Sequence, residues 1–150
     1  TVYFKNCVDG VYTVPHRTTK IYIGDVLLEN TAESCSNCVF NIDGAVLTNV
    51  IEMWKGDNNH LKMKTSVRTL QLDLMKTTRL QFEKKDHFKG GAVVWNQVEN
   101  LHFLFDDAEE HNLQTGFDEM KKQLPDSSPI VDQFIVRFLK QARTQIENLS

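Results

Sequence analysis

The sequence predicts a mainly β fold: a right-handed β-helix (solenoid) of about five coils, followed by a C-terminal helical segment. Three observations carry that reading. Apolar bursts with period two recur about every nine to ten residues as far as about residue 105, the pattern of strands with one buried face. Turn residues fill the gaps, at Asn6, Asp9-Gly10, Gly24-Asp25, Asp43-Gly44, Gly56-Asp57-Asn58-Asn59 and Gly90-Gly91; Gly, Asn and Asp tolerate the positive φ that tight corners need. A steady spacing over so many strands fits stacked coils better than a sandwich.

Taken in order, the bursts are Val2-Tyr3-Phe4, Val11-Tyr12-Thr13-Val14, Ile21-Tyr22-Ile23, Val39-Phe40-Asn41-Ile42 and Val50-Ile51-Glu52-Met53. Leu61-Lys62-Met63, Leu70-Gln71-Leu72, Leu80-Gln81-Phe82, Ala92-Val93-Val94-Trp95 and Leu101-His102-Phe103-Leu104-Phe105 follow. The long gap between Ile23 and Val39 is close to twice the beat and holds an insertion around Asn30 to Ser36. Two strands per turn make coils of about eighteen to twenty residues. Leu61, Met63, Leu70, Leu72, Leu80, Phe82, Phe103 and Phe105 are then expected to point inward. Asn41, Lys62, Lys64, Arg79, Gln81 and His102 are expected on one flat outer face, and Thr69, Gln71 and Asp73 on the other. Flat faces suit a protein partner better than a small molecule.

Residues 1–106 are thus expected to form the solenoid and 107–150 a helical extension. Asp107 with Glu110 resembles a capping box, and Leu113, Phe117, Met120 and Leu124 form a helical stripe interrupted by Gly116 and ended by Pro125. Ser128-Pro129 opens a second predicted helix, whose apolar face is Ile130, Phe134, Ile135, Phe138, Leu139, Ala142 and Ile146. That face can dock on the solenoid or pair with a second chain.

Composition narrows the function. A chain of 150 residues with net charge −3 has no basic excess with which to displace counterions from nucleic acid. No apolar run is long enough for a membrane span, and none reads as a signal peptide. The first residue is Thr1 rather than Met, as expected of a piece of a longer protein. Cys7, Cys35 and Cys38 are odd in number, and the C-x-x-C at Cys35 lacks the second ligand pair of a zinc site. They are expected to be structural thiols in a reducing cytoplasm.

His16, His60, His87, His102 and His111 form no H-x-x-x-H or HExxH pair. The acidic run Asp106-Asp107, Glu109-Glu110 is explained by a helix start. No Gly-rich phosphate loop or nucleophile motif appears. The chain is expected to be no enzyme and to use no cofactor or metal.

Several segments together match one family in pattern and length. They are Val2-Tyr3-Phe4-Lys5-Asn6-Cys7 with the coil running to Gly24-Asp25, Phe40-Asn41-Ile42-Asp43 through Ile51-Glu52, and Arg68-Thr69-Leu70-Gln71-Leu72-Asp73. The closing coil Ala92 to Phe105 and the tail Pro129-Ile130-Val131-Asp132-Gln133-Phe134 complete the set. In these residues the chain resembles the C-terminal domain of cyclase-associated protein, a β-helix with repeats shared with tubulin-binding cofactor C. The resemblance implies binding to monomeric actin, preference for its ADP form, promotion of nucleotide exchange, and a homodimer formed through the C-terminal end.

Two departures stand against it. The family's Lys-Thr-Asp-Gly turn and Tyr-Leu-Ser strand are replaced after Asp73 by Leu74-Met75-Lys76-Thr77-Thr78 and Gln81-Phe82-Glu83. The family's tail is mostly extended, whereas this one reads as helix. The cofactor C branch uses an arginine finger in a Gln-x-Arg motif, a context that Arg68 and Arg79 lack. The expected protein-binding residues are Lys62, Lys64, Thr69, Asp73 and Arg79. The competing expectation is a diverged scaffold or dimerisation domain without actin activity.

Overall fold

The computed structural model describes residues 1–24, 35–88, 90–123, 134–139 and 143–148. Ten strands alternate between two walls: β1 (Val2–Phe4), β2 (Val11–Val14), β3 (Ile21–Ile23), β4 (Val39–Ile42), β5 (Val50–Trp54), β6 (Asp57–Met63), β7 (Thr69–Asp73), β8 (Lys76–Phe82), β9 (Ala92–Asn96) and β10 (Glu99–Phe105). Odd strands pair in parallel with odd strands, and even with even. The result is a β-solenoid of about four turns. Its register carries the beat of the sequence, with Val2 beside Ile21, Ile51 beside Leu70 and Leu61 beside Leu80. The insertion expected around Asn30 lies outside the described residues, except for Cys35 and Ser36.

All eight side chains expected inside are buried. In one wall Ile21, Ile51, Leu70 and Val93 form one column, and Ile23, Met53, Leu72 and Trp95 the next. In the other, Phe40, Leu61, Leu80 and Phe103 run beside Ile42, Met63, Phe82 and Phe105. Phe82 and Phe105 stack at 5.3 Å between ring centroids, and Phe88 joins from the turn after β8 at 4.8 Å from Phe82. Each such side chain contributes about 1.5–3 kcal/mol on burial.

The corners also stack. Asp9, Asn37, Asn58, Thr77 and Asn100 all have positive φ and follow directly on paired positions, Val8 with Ser36, Ser36 with Asp57, Asp57 with Lys76 and Lys76 with Glu99. Side chains link them: Asn37 donates to Asp9 at 3.1 Å, Asn58 to Asn37 at 2.7 Å and Asn100 to Thr77 at 3.3 Å. Lys55, Leu74 and Gln97 repeat positive φ in the preceding corner, so repetition of the coil imposes this conformation even on residues that disfavour it. At Gly24, φ is +97° and a Cβ would meet the Trp54 carbonyl oxygen at 2.1 Å; only glycine fits.

The C-terminal part is partly as expected. One short helix forms, α1 (Phe117–Gln123), with Met120 buried and Phe117 packed on the core. The predicted helix starts too early, however. Asp107 makes no capping box; its Oδ1 accepts from the Lys85 amide at 2.8 Å. A 3-10 turn over Glu109–His111 and strand β11 (Leu113–Thr115) precede α1 instead.

The second predicted helix is corrected more thoroughly. Over its described residues, Phe134, Ile135, Phe138, Leu139 and Ile146 lie in strands β12 (Phe134–Leu139) and β13 (Arg143–Asn148). Ser128, Pro129, Ile130 and Ala142 lie outside the described residues, as do Leu124 and Pro125. β12 pairs antiparallel with β9, and β13 with β12. β11 pairs antiparallel with β10. Both walls therefore end in antiparallel strands on the C-terminal side, while β1 and β2 are the terminal strands of their sheets at the other end.

Candidate functional site

Alternation on the even strands turns every second residue outward, and the parallel register aligns those residues across coils. One outer row reads Val11, Val39, His60, Arg79, His102 and Gln114; the next reads Thr13, Asn41, Lys62, Gln81 and Leu104. Beyond β6, Lys64 continues the wall, its amide bonded to the Ile42 carbonyl at 2.9 Å. A shallow depression of about 250 Å³ lies there, lined by Asn41, Lys62, Lys64, Gln81, Glu83 and Asp106.

A chain of hydrogen bonds crosses this wall. The Gln81 amide nitrogen donates to Asp106 Oδ1 at 2.6 Å, and its oxygen lies 2.7 Å from His60 Nε2. Since that oxygen can only accept, His60 Nε2 carries the proton. Burial lowers the pKa of His60; the Gln81 bond opposes this, and the positive charges of Lys62 and Arg79 reinforce it. His102 is lowered by burial and by Arg79. Three rows of coils thus bring two neutral imidazoles, a guanidinium and two ammonium groups onto one surface, with Glu83 and Asp106 at its rim.

The opposite wall is different. Tyr3 and Tyr22 stack at 5.0 Å, Lys20 Nζ lies 4.6 Å from the Tyr22 ring centroid, and it pairs with Glu52 at 3.2 Å. Thr69 and Asp73 are at the two ends of β7 on this wall. Burial raises the pKa of Asp73, with the Gln71 side chain opposing. The five residues singled out in the sequence therefore divide: Lys62, Lys64 and Arg79 share the even wall, whereas Thr69 and Asp73 lie across the solenoid from them.

Three members of the even wall escape the sequence reading. His60 has the parity of Lys62 and was findable by counting back two residues; Glu83 follows Phe82 by the same rule. Asp106 is hidden in an acidic run that reads as a helix start. A Gln-x-Arg triplet also escapes it, Gln141-Ala142-Arg143; Arg143 begins β13, and the other two residues lie outside the described ones.

The three cysteines are thiols gathered at one corner near the first coils, Cys35 and Cys38 buried and Cys7 partly so. Among the described residues, no three His, Cys, Asp or Glu side chains are placed to hold a metal ion, and no helix is long and apolar enough to cross a membrane. No family model, curated protein or solved structure matches this chain.

Proposed function

We propose that the chain binds monomeric actin through its even-strand wall and, as a domain of the cyclase-associated-protein type, alters actin's nucleotide exchange. The observation that carries this reading is the in-register row of His60, Arg79 and His102 beside Lys62 and Lys64. Its three permanent cations, Lys62, Lys64 and Arg79, cluster on one flat wall of a chain of net charge −3, with the imidazoles as neutral donors between them, an arrangement suited to an acidic protein surface. Two further observations support it. The tail is extended over 134–139 and 143–148, so one of the two departures from the family pattern disappears. The other departure remains in the sequence, at Leu74 to Thr78 and Gln81 to Glu83, but these residues keep the geometry of the coil: Leu74 has the positive φ of Lys55 and Gln97, and β8 pairs in parallel with β6 and β10.

A cytoplasmic setting and a homodimer belong to the same proposal. Binding changes exchange only if one nucleotide state of actin is held more tightly than the other. The test is titration of purified ADP-actin and ATP-actin with this chain, alongside exchange of a fluorescent nucleotide. The expected result is tighter binding to ADP-actin, weakening several-fold from about 50 to about 200 mM salt as exposed charges are screened. No binding at tens of micromolar overturns the proposal. The scaffold reading then takes its place, favoured by the absent Lys-Thr-Asp-Gly turn after Asp73.

A further inference from the structure

We propose that Cys7 and Cys35 form a reversible disulfide, a peroxide-sensitive staple fastening the first coil of the solenoid to the second. The register places them. Val8 pairs with Ser36 in parallel, the Ser36 amide donates to the Cys7 carbonyl at 2.9 Å and the Asp9 amide to the Ser36 carbonyl at 3.1 Å. Cys7 and Cys35 are therefore lateral neighbours on adjacent coils. Neighbouring strands lie about 4.7–4.9 Å apart, within the Cα separation of about 4.4–6.8 Å that a disulfide spans.

Side-chain direction agrees with the register. Cys35 Sγ donates to the Phe4 carbonyl at 3.4 Å, which puts the sulfur of the second coil on the side of the first. Cys7 packs against the same core from the first coil. Cys38 points elsewhere, its thiol donating to the Ser36 carbonyl at 3.2 Å. Burial pushes the Cys35 thiol up to about 11, so it stays protonated and is the second, not the first, sulfur to react.

The chemistry needs one two-electron oxidant, a hydroperoxide. The partly exposed Cys7 sulfur attacks a peroxide oxygen; the S–O bond forms, the O–O bond breaks, and hydroxide leaves as water with the Cys7 proton. The Cys35 sulfur then attacks the sulfenic sulfur, the S–S bond forms, the S–O bond breaks, and a second water carries off the Cys35 proton. Two thiols are oxidised and one peroxide is reduced. A dithiol reductant reverses the exchange.

The test treats the whole chain with hydrogen peroxide, blocks the remaining thiols and maps the linked peptides by mass spectrometry without reduction. The expected outcome is a Cys7–Cys35 link within one chain, Cys38 still open to alkylation, and a melting temperature several degrees higher that falls back with dithiothreitol. Cys38→Ala keeps the link and Cys7→Ser abolishes it, with circular dichroism confirming that both fold. A Cys35–Cys38 link, a link between chains, three alkylatable thiols after treatment, or an internal link in the folded Cys7→Ser variant would each overturn the proposal.

Discussion

Asn59 shows how one residue holds a corner. It reads as part of a turn, Gly56-Asp57-Asn58-Asn59, yet it is fully buried on β6, in line with Thr78 and Leu101. Its Oδ1 accepts from the Cys38 amide at 3.2 Å and its Nδ2 donates to the Cys35 carbonyl at 2.8 Å. No local pattern announces this, because the groups it satisfies belong to the previous coil. Asn59→Ala leaves the buried Cys38 amide without a partner, at about 1–3 kcal/mol, while the Cys35 carbonyl keeps the Asp57 amide at 3.2 Å. The expected loss of about 1–3 kcal/mol is measured by urea denaturation; a change under about 0.5 kcal/mol would show that the amide is dispensable. Gly56 belongs to the same arrangement, since a Cβ there would meet Asn59 Nδ2 at 2.5 Å and Met75 Cε at 2.7 Å.

The two histidines of the even wall give stability a sign with pH. Their folded pKa values lie below the ordinary 6.5, so above 6.5 both states are neutral and the full stability is present. As pH falls through 6.5 towards the folded values, the unfolded chain takes up protons first and stability is lost. Asp73 acts oppositely: raised above 3.8 by burial, its contribution is present at low pH and lost as pH rises through its folded value. The urea midpoint is therefore expected to drop between about pH 7 and about pH 5. His60→Gln, which retains an amide donor towards Gln81, should flatten that drop. An unchanged slope in the variant would remove His60 from the account.

At the scale of elements, the corners and the tail teach different lessons. Gly, Asn and Asp mark corners in the sequence, and Asp9, Asn37, Asn58 and Asn100 do sit there with positive φ. Lys55, Leu74, Thr77 and Gln97 do so as well, unannounced, because stacking on neighbouring coils outweighs their own preference. Thr77 is β-branched and has φ of 42°, where such residues are strained. Thr77→Asn relieves the strain and extends the side-chain ladder between Asn58 and Asn100. It should raise stability by about 0.5–1 kcal/mol, read as a higher urea midpoint at unchanged slope; a lower midpoint would mean that the Thr77 hydroxyl matters more than its backbone. In the tail, Phe134, Ile135, Phe138 and Leu139 satisfy helical spacing, but the free edge of β9 decides their state. The backbone groups of Ala92 to Trp95 find partners in Arg137 to Phe134, a contact no local periodicity can reveal.

For the whole molecule, the solenoid is legible because one repeated length and one alternation specify it: the parity of Leu70 or Leu80 alone says which way each points. The candidate wall is only half legible. Parity puts Lys62, Arg79, Gln81 and His102 outside, but their alignment into rows depends on the length of every intervening corner. Thr69 and Asp73, carried over by resemblance, fall on the far wall for the simple reason that β7 is an odd strand. This separation makes a prediction. Lys62→Glu with Lys64→Glu should weaken binding to ADP-actin at least tenfold with folding intact, while Thr69→Ala with Asp73→Asn should leave it unchanged, both by titration at low salt. The reverse pattern would place the partner on the wall of Tyr22 and Glu52.

The unequal ends of the column have a consequence for polymerisation. A filament grows head to tail only if each molecule offers a free edge at both extremities. Here the extremities are unlike: β11 and β13 are the terminal strands at one and β1 and β2 at the other, so a head-to-tail contact has to join the antiparallel additions of the tail to the parallel edge of the first coil. The tail thus makes the two ends of the column unlike partners, which works against the fibrils that an open coil of parallel strands invites by its own repetition.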